Sequence, residues 1–163
     1  MLEKKWIKNI FDFSKGFTLI ELLIVVSVLV IISSIGVGSY MNYNKSVQIN
    51  SVVQTVVFDL KQAQSKAMNG EGGYKWGIHF VNSATDYYEI FSTPTDYTDE
   101  SKVIISTNYL AGSVLFTDPA DSFVKNIIFS QIRGGTTATS VVLTSQDVTK
   151  TISVTNIGSI SVQ

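Results

Sequence analysis

The chain has 163 residues, 45% of them apolar, and a formal net charge of −1, which suffices for one domain with its own core and argues against two. A formal net charge of −1 gives no basis for a nucleic-acid or polybasic-surface role, because phosphate binding requires a local excess of Lys and Arg. There is no cysteine, so disulfides, thiolate metal sites, a lipidated cysteine and a cysteine nucleophile are excluded, and the fold has to rest on packing alone.

The charges are unevenly placed along the chain. Lys4, Lys5, Lys8 and Lys15 stand against Glu3 and Asp12, so the first 16 residues are basic; from Phe17 onward there are eight basic and eleven acidic side chains. In "EKKWIKNIFDF" the residues Trp6, Ile7, Ile10 and Phe11 have helical spacing. From Leu22 to Asn44 no residue is charged over 23 positions, and at about 1.5 Å per residue a helix of that length crosses a hydrocarbon core. The lysines place the N-terminal side in the cytoplasm, and Tyr40 and Tyr43 fall where aromatics settle at the far headgroups. A secretory signal peptide fits less well: the apolar run is too long, contains Glu21 and has no small-x-small cleavage site behind it.

Beyond the apolar run Ile49, Val52, Val56, Leu60, Ala63 and Ala67 recur at intervals of three and four, which predicts one helix from Phe17 to about Met68, on the order of 80 Å long and amphipathic in its second half. Gly36 and Gly38 loosen it locally, and Asn69, Gly70, Gly72 and Gly73 end it. In "YKWGIHFV" the period changes to two, with Trp76, Ile78 and Phe80 on one face. Short runs at 87–92, 102–106, 113–117, 126–132, 140–145, 150–155 and 158–163, separated by turn-forming clusters, predict an antiparallel β-domain. The helix's apolar stripe has no other partner, so the sheet has to cover it. The fold class is α+β.

"KGFTLIELLIVVSVLVIISSI" resembles the N-terminal signature of type IV pilins and type II secretion pseudopilins: a basic leader ending in Gly, then Phe, with Glu at the fifth position after it. The resemblance implies a pilin-like fold and four segments: a cleaved leader over 1–16, a transmembrane and assembly half of the helix over 17–39, an amphipathic half over 40–69 and a β-domain over 74–163. It implies cleavage between Gly16 and Phe17 by prepilin peptidase, N-methylation of Phe17 and a filament-assembly role for Glu21. Many family members bend this helix at a proline where the present chain has Gly38 beside Gly36, so any bend here depends on backbone freedom. "DLKQAQSKAMNGEGGYKWGIHF", together with "NIIFSQIRGG", "SVVLTS", "KTISVT" and "IGSISV", is similar to the corresponding parts of H-type minor pseudopilins and related minor pilins.

Glu21 also makes sense on physical grounds. A carboxylate at membrane depth is costly and calls for a cation or a water path. Cleavage after Gly16 would create an amine on Phe17, and in a staggered stack Glu21 of one subunit could neutralise the amine of the next. In isolation, Glu21 could equally reach the inner headgroups.

The other polar residues read as structural. His79, the one histidine, falls on the polar side of a strand and reads as a surface residue. The acidic loop with Asp96, Asp99 and Glu100 matches no EF-hand and reads as a solvated loop rather than a calcium site. Arg133 is a lone cation in a turn. Trp76, Tyr87 and Tyr88 read as packing residues. No catalytic set, metal motif or phosphate loop is visible, so no enzyme, cofactor or metal is expected.

The resulting expectation is a single-pass inner-membrane precursor with its β-domain outside, then a minor filament subunit of a type II secretion pseudopilus or type IV pilus. Its partners would be other pilin or pseudopilin subunits, prepilin peptidase, the inner-membrane assembly platform and the lipid bilayer. The alternatives are a competence-type pilin that contacts DNA, and a bitopic membrane protein that binds a partner through its β-domain without polymerising.

Overall fold

The structure, a computed structural model, describes residues 16–163 apart from Gly112, and not the side chains of residues 34–39, 41 and 42. The leader with Lys4, Lys5, Lys8, Lys15 and the spacing from Trp6 to Phe11 lies outside the described residues. The chain divides into two compact units, one up to Tyr40 and one from Met41 onward.

In the first unit, helix α1 (Leu19–Met68) begins two residues later than the periodicity predicts. From Leu19 to Ile32 its large apolar side chains are exposed on every face. Among the described residues no helix is long and apolar enough to cross a membrane. The predicted span over 17–39 also needs residues 34–39, whose side chains lie outside the described set.

The second unit is built on the part of α1 that follows Met41. Ile49, Val53, Val56, Leu60, Ala63 and Ala67 are buried, and Val52, predicted for this stripe, lies at its margin. The helix ends where Gly70 adopts φ 65°, and a 3₁₀ turn over Glu71–Gly73 follows with positive φ at Gly72 and Gly73. Such values suit residues without a Cβ.

Eight strands follow: β1 (Lys75–Val81), β2 (Tyr87–Thr93), β3 (Val103–Tyr109), β4 (Leu115–Asp118), β5 (Val124–Phe129), β6 (Thr139–Ser145), β7 (Val148–Val154) and β8 (Ile160–Val162). They form two antiparallel four-stranded sheets, ordered β3-β2-β1-β5 and β4-β6-β7-β8. Ile78, Phe80, Tyr88, Ile127 and Phe129 of the first sheet join Phe116, Val141, Leu143, Ile152 and Val154 of the second in one core with the helix. Period-two alternation selects these residues on each strand. The α+β class and the helix packed with an antiparallel β-domain are as the sequence predicts.

Buried polar groups tie the layers together. Tyr88 Oη donates to Asp59 on α1 at 2.6 Å. Asn82 Nδ2 donates to the carbonyls of Phe116 and Pro119 at 2.9 and 2.7 Å, and the Phe116 amide donates to Asp86 at 2.6 Å. The turn between β1 and β2 therefore holds the first strand of the second sheet.

Two expectations are corrected. The run 126–132 is not all strand: β5 stops at Phe129, and Ile132, at φ 67°, donates its amide to Ala67 O at the end of α1 and leaves its side chain 80% exposed. His79 is not a surface residue, being only 6% exposed. It does face away from the main core, as the alternation requires, but the loop after β2 folds back over that face. Tyr97 stacks on the imidazole with centroids 3.6 Å apart, meets Phe91 edge-on and donates to Glu89 at 2.6 Å. His79 Nδ1 hydrogen-bonds Asn126, while Lys102 lies over the Tyr97 ring. Gly77 makes room for this second, smaller core: a Cβ there would stand 2.5 Å from Ile127 O and 3.1 Å from the Phe91 ring.

Gly77→Ala should lower stability by about 1–3 kcal/mol, the range for overpacking, measured by chemical denaturation of the full chain in detergent. His79 has its pKa lowered, chiefly by burial and against the raising effects of Asn126 and Glu89; Lys102 lowers it further. The folded state thus favours neutral imidazole, so this contribution is intact above about pH 6.5 and lost as pH falls below it. Thermal unfolding from pH 7.5 to 5.5 should show a falling midpoint in the parent chain and a smaller fall in His79→Gln.

Candidate functional site

The start of α1 is arranged around one carboxylate. The Thr18 amide and Oγ1 each donate to Glu21 Oε2 at 3.0 Å, and the Glu21 amide donates back to Thr18 Oγ1 at 3.3 Å. The first helical bond runs from the Leu22 amide to Thr18 O at 3.2 Å. This is a capping box: two N-terminal amides that lack intrahelical partners are satisfied reciprocally, and the carboxylate sits at the positive end of the helix dipole. Thr-x-x-Glu ahead of an apolar run is the sequence signal of this local role, which the cost of a membrane charge alone does not reveal.

Both Thr18 bonds end on Oε2, and Oε1 has no partner among the described residues. The box needs the amide of Thr18 but no group from Gly16, so breaking the Gly16–Phe17 bond would leave it whole. Phe17 is 81% exposed, and Gly16 is exposed with open space where a Cβ would project. Gly16, Phe17 and Glu21 thus lie together at the accessible start of α1. The backbone of α1 stays helical through Gly36 and Gly38.

On the amphipathic half, Tyr43, Val47 and Phe58 are 67, 46 and 64% exposed. At 100° per residue they lie roughly opposite the stripe that enters the core, three exposed apolar side chains among the polar Ser51, Gln54, Lys61 and Ser65.

Among the described residues no three His, Cys, Asp or Glu side chains are grouped to hold a metal. Asp96 accepts from the hydroxyl and amide of Thr98, and Asp99 from those of Ser101 and from Thr95 Oγ1. These bonds hold both carboxyls below their usual range, and they shape the loop that carries Tyr97.

Residues 13–37 match the family model of the prokaryotic N-terminal methylation motif. Prepilin peptidase-dependent protein D of Escherichia coli (strain K12) is 41% identical over 46 residues, 28% of this chain and 32% of that protein. The match therefore spans about a third of the curated relative. No solved structure matches the chain. With Thr18 and Glu21 as its first-turn cap, the segment that opens α1 carries the prokaryotic N-terminal methylation motif, and through it the chain resembles the type IV pilins and pseudopilins.

Proposed function

We propose that the chain is a structural subunit of a type IV pilus or type II secretion pseudopilus, anchored in the inner membrane through the start of α1 until it is assembled. Prepilin peptidase cuts between Gly16 and Phe17, Phe17 is N-methylated, and the helix then moves from lipid into a bundle of neighbouring helices on the assembly platform. The observation that carries this reading is the uncovered apolar surface of α1 from Leu19 to Ile32 behind a single carboxylate, in the segment that matches the methylation motif. In water such a surface would be strongly unfavourable; lipid and neighbouring helices are the two environments that suit it in turn.

Within this reading, Glu21 contributes twice. Oε2 stays in its own helix cap, while Oε1 accepts from the Phe17 amine of the adjacent subunit. Unpaired charges in an apolar bundle are costly, so this contact favours the register in which they meet. Tyr43, Val47 and Phe58 pack against neighbouring subunits outside the membrane, and Gly36 and Gly38 give the helix freedom to adjust. The likeness to H-type minor pseudopilins favours a sparse subunit.

In cells that contain prepilin peptidase, the mature mass should correspond to a chain starting at Phe17 with one added methyl group. Glu21→Ala should insert and be cleaved yet be missing from sheared filaments; a chain that keeps Met1 would contradict the reading. Thr18→Val should speed amide exchange at Glu21 in micelles, and Thr18→Ser should leave it unchanged.

A further inference from the structure

The edge strands of the two sheets are β3 with β5 and β4 with β8. β4 and β8 have four and three residues, and edges so short resist pairing. β5 carries Lys125, whose ammonium bonds Asp118 and, at 2.8 Å, the carbonyl of Ser140, tying that edge to the second sheet. β3 runs for seven residues, VIISTNY, without proline or charge. β2 pairs with one side of it, and no strand lies on the other among the described residues. Val103, Ile104, Ile105 and Tyr109 are 51, 45, 50 and 66% exposed, so an unpaired row of backbone donors and acceptors stands beside apolar side chains left in water.

An exposed apolar patch alone leaves its occupant open, but a strand edge does not. Its N–H and C=O groups recur at the strand repeat, and only another extended chain meets them in series. A bulge restricts the choice further. Ile90 faces Ser106 and Phe91 faces Ile104, so Ile105 is the extra residue of a β-bulge. In two copies of β3 set side by side, each bulge would interrupt the other's ladder. The loop before β3 adds a charge. Lys75 and Lys102 stand close enough to act on Asp96 and Asp99, whereas Glu100 is exposed and forms no ion pair among the described residues.

We propose that β3 accepts an extended segment of a protein other than this chain as an added antiparallel strand, uncharged and rich in β-branched residues, and followed by a cation that meets Glu100. Every strand pair in both sheets is antiparallel, and this direction brings the C-terminal end of the added strand to the loop before β3. Backbone hydrogen bonds would supply the register, and the side chains of Val103, Ile104 and Ile105 the apolar contact. The contact agrees with a sparse subunit, whose neighbours are other chains. It needs neither leader cleavage nor filament formation.

The test titrates the full chain in detergent with the fluorescent peptide TVTVTVTKK and follows amide exchange residue by residue. Saturable binding is expected, with exchange slowed within Val103–Tyr109. The same peptide with every threonine and valine amide methylated keeps its side chains but offers no donors, and should bind at least about tenfold more weakly. Moving the two lysines to the N-terminal end of the peptide, or Glu100→Lys in the chain, should weaken binding about two- to fivefold, as for an exposed ion pair. Equal binding of the methylated peptide overturns the proposal, as does slowed exchange at β4, β5 or β8 in place of β3. No saturable binding at millimolar peptide overturns it too. Concentration-dependent slowing at β3 without peptide would mean that a second copy occupies the edge, and overturns the occupant. None of these outcomes touches cleavage at Gly16 or entry into filaments, so the filament reading stands or falls on its own test.

Discussion

Burial of one face of α1, from Ile49 to Ala67, is the constraint around which the second unit is arranged. An amphipathic helix that long gains little from propensity and depends on apolar area removed from water. Neither sheet does this alone: the core cluster draws on both, and the buried amide of Asn82 and carboxylate of Asp86 lock the first strand of the second sheet to the turn of the first. Packing supplies the stabilisation, while the satisfied polar groups fix how the layers meet.

That arrangement also explains how a domain without a cysteine holds together. The outer face of the first sheet is closed by the loop after β2, with Tyr97 inserted between His79 and Phe91, and the helix end is closed by Gln64, which donates to the carbonyls of Gly134 and Gly158. Both closures replace long-range covalent ties with short-range packing and hydrogen bonds. The same two regions hold the polar groups whose placement differs most from a strand-by-strand reading.

At the start of α1 the physics is local. Thr18 and Glu21 satisfy each other's amides in the first turn, so a single residue serves both the helix and the contact proposed between subunits. These roles are compatible because a carboxylate has two oxygens and the cap uses one.

The sequence by itself determined the features that depend on neighbours along the chain: the motif from "KGF" to Glu21, the buried stripe of α1, the glycine stop near Met68 and the alternation that sends Trp76, Ile78 and Phe80 inward. Periodicity and spacing are sufficient there, because a helix or strand fixes the direction of its side chains. The Thr18 cap is equally legible, because Thr-x-x-Glu is a pattern of near neighbours. Tertiary structure alone decided the rest. It split the strands into two sheets, ended β5 at Phe129 because the Ile132 amide is taken by the end of the helix, and buried His79 under a loop from another part of the chain. In each case the deciding partner is distant in sequence, and only the closing of the chain into a common core brings it into reach.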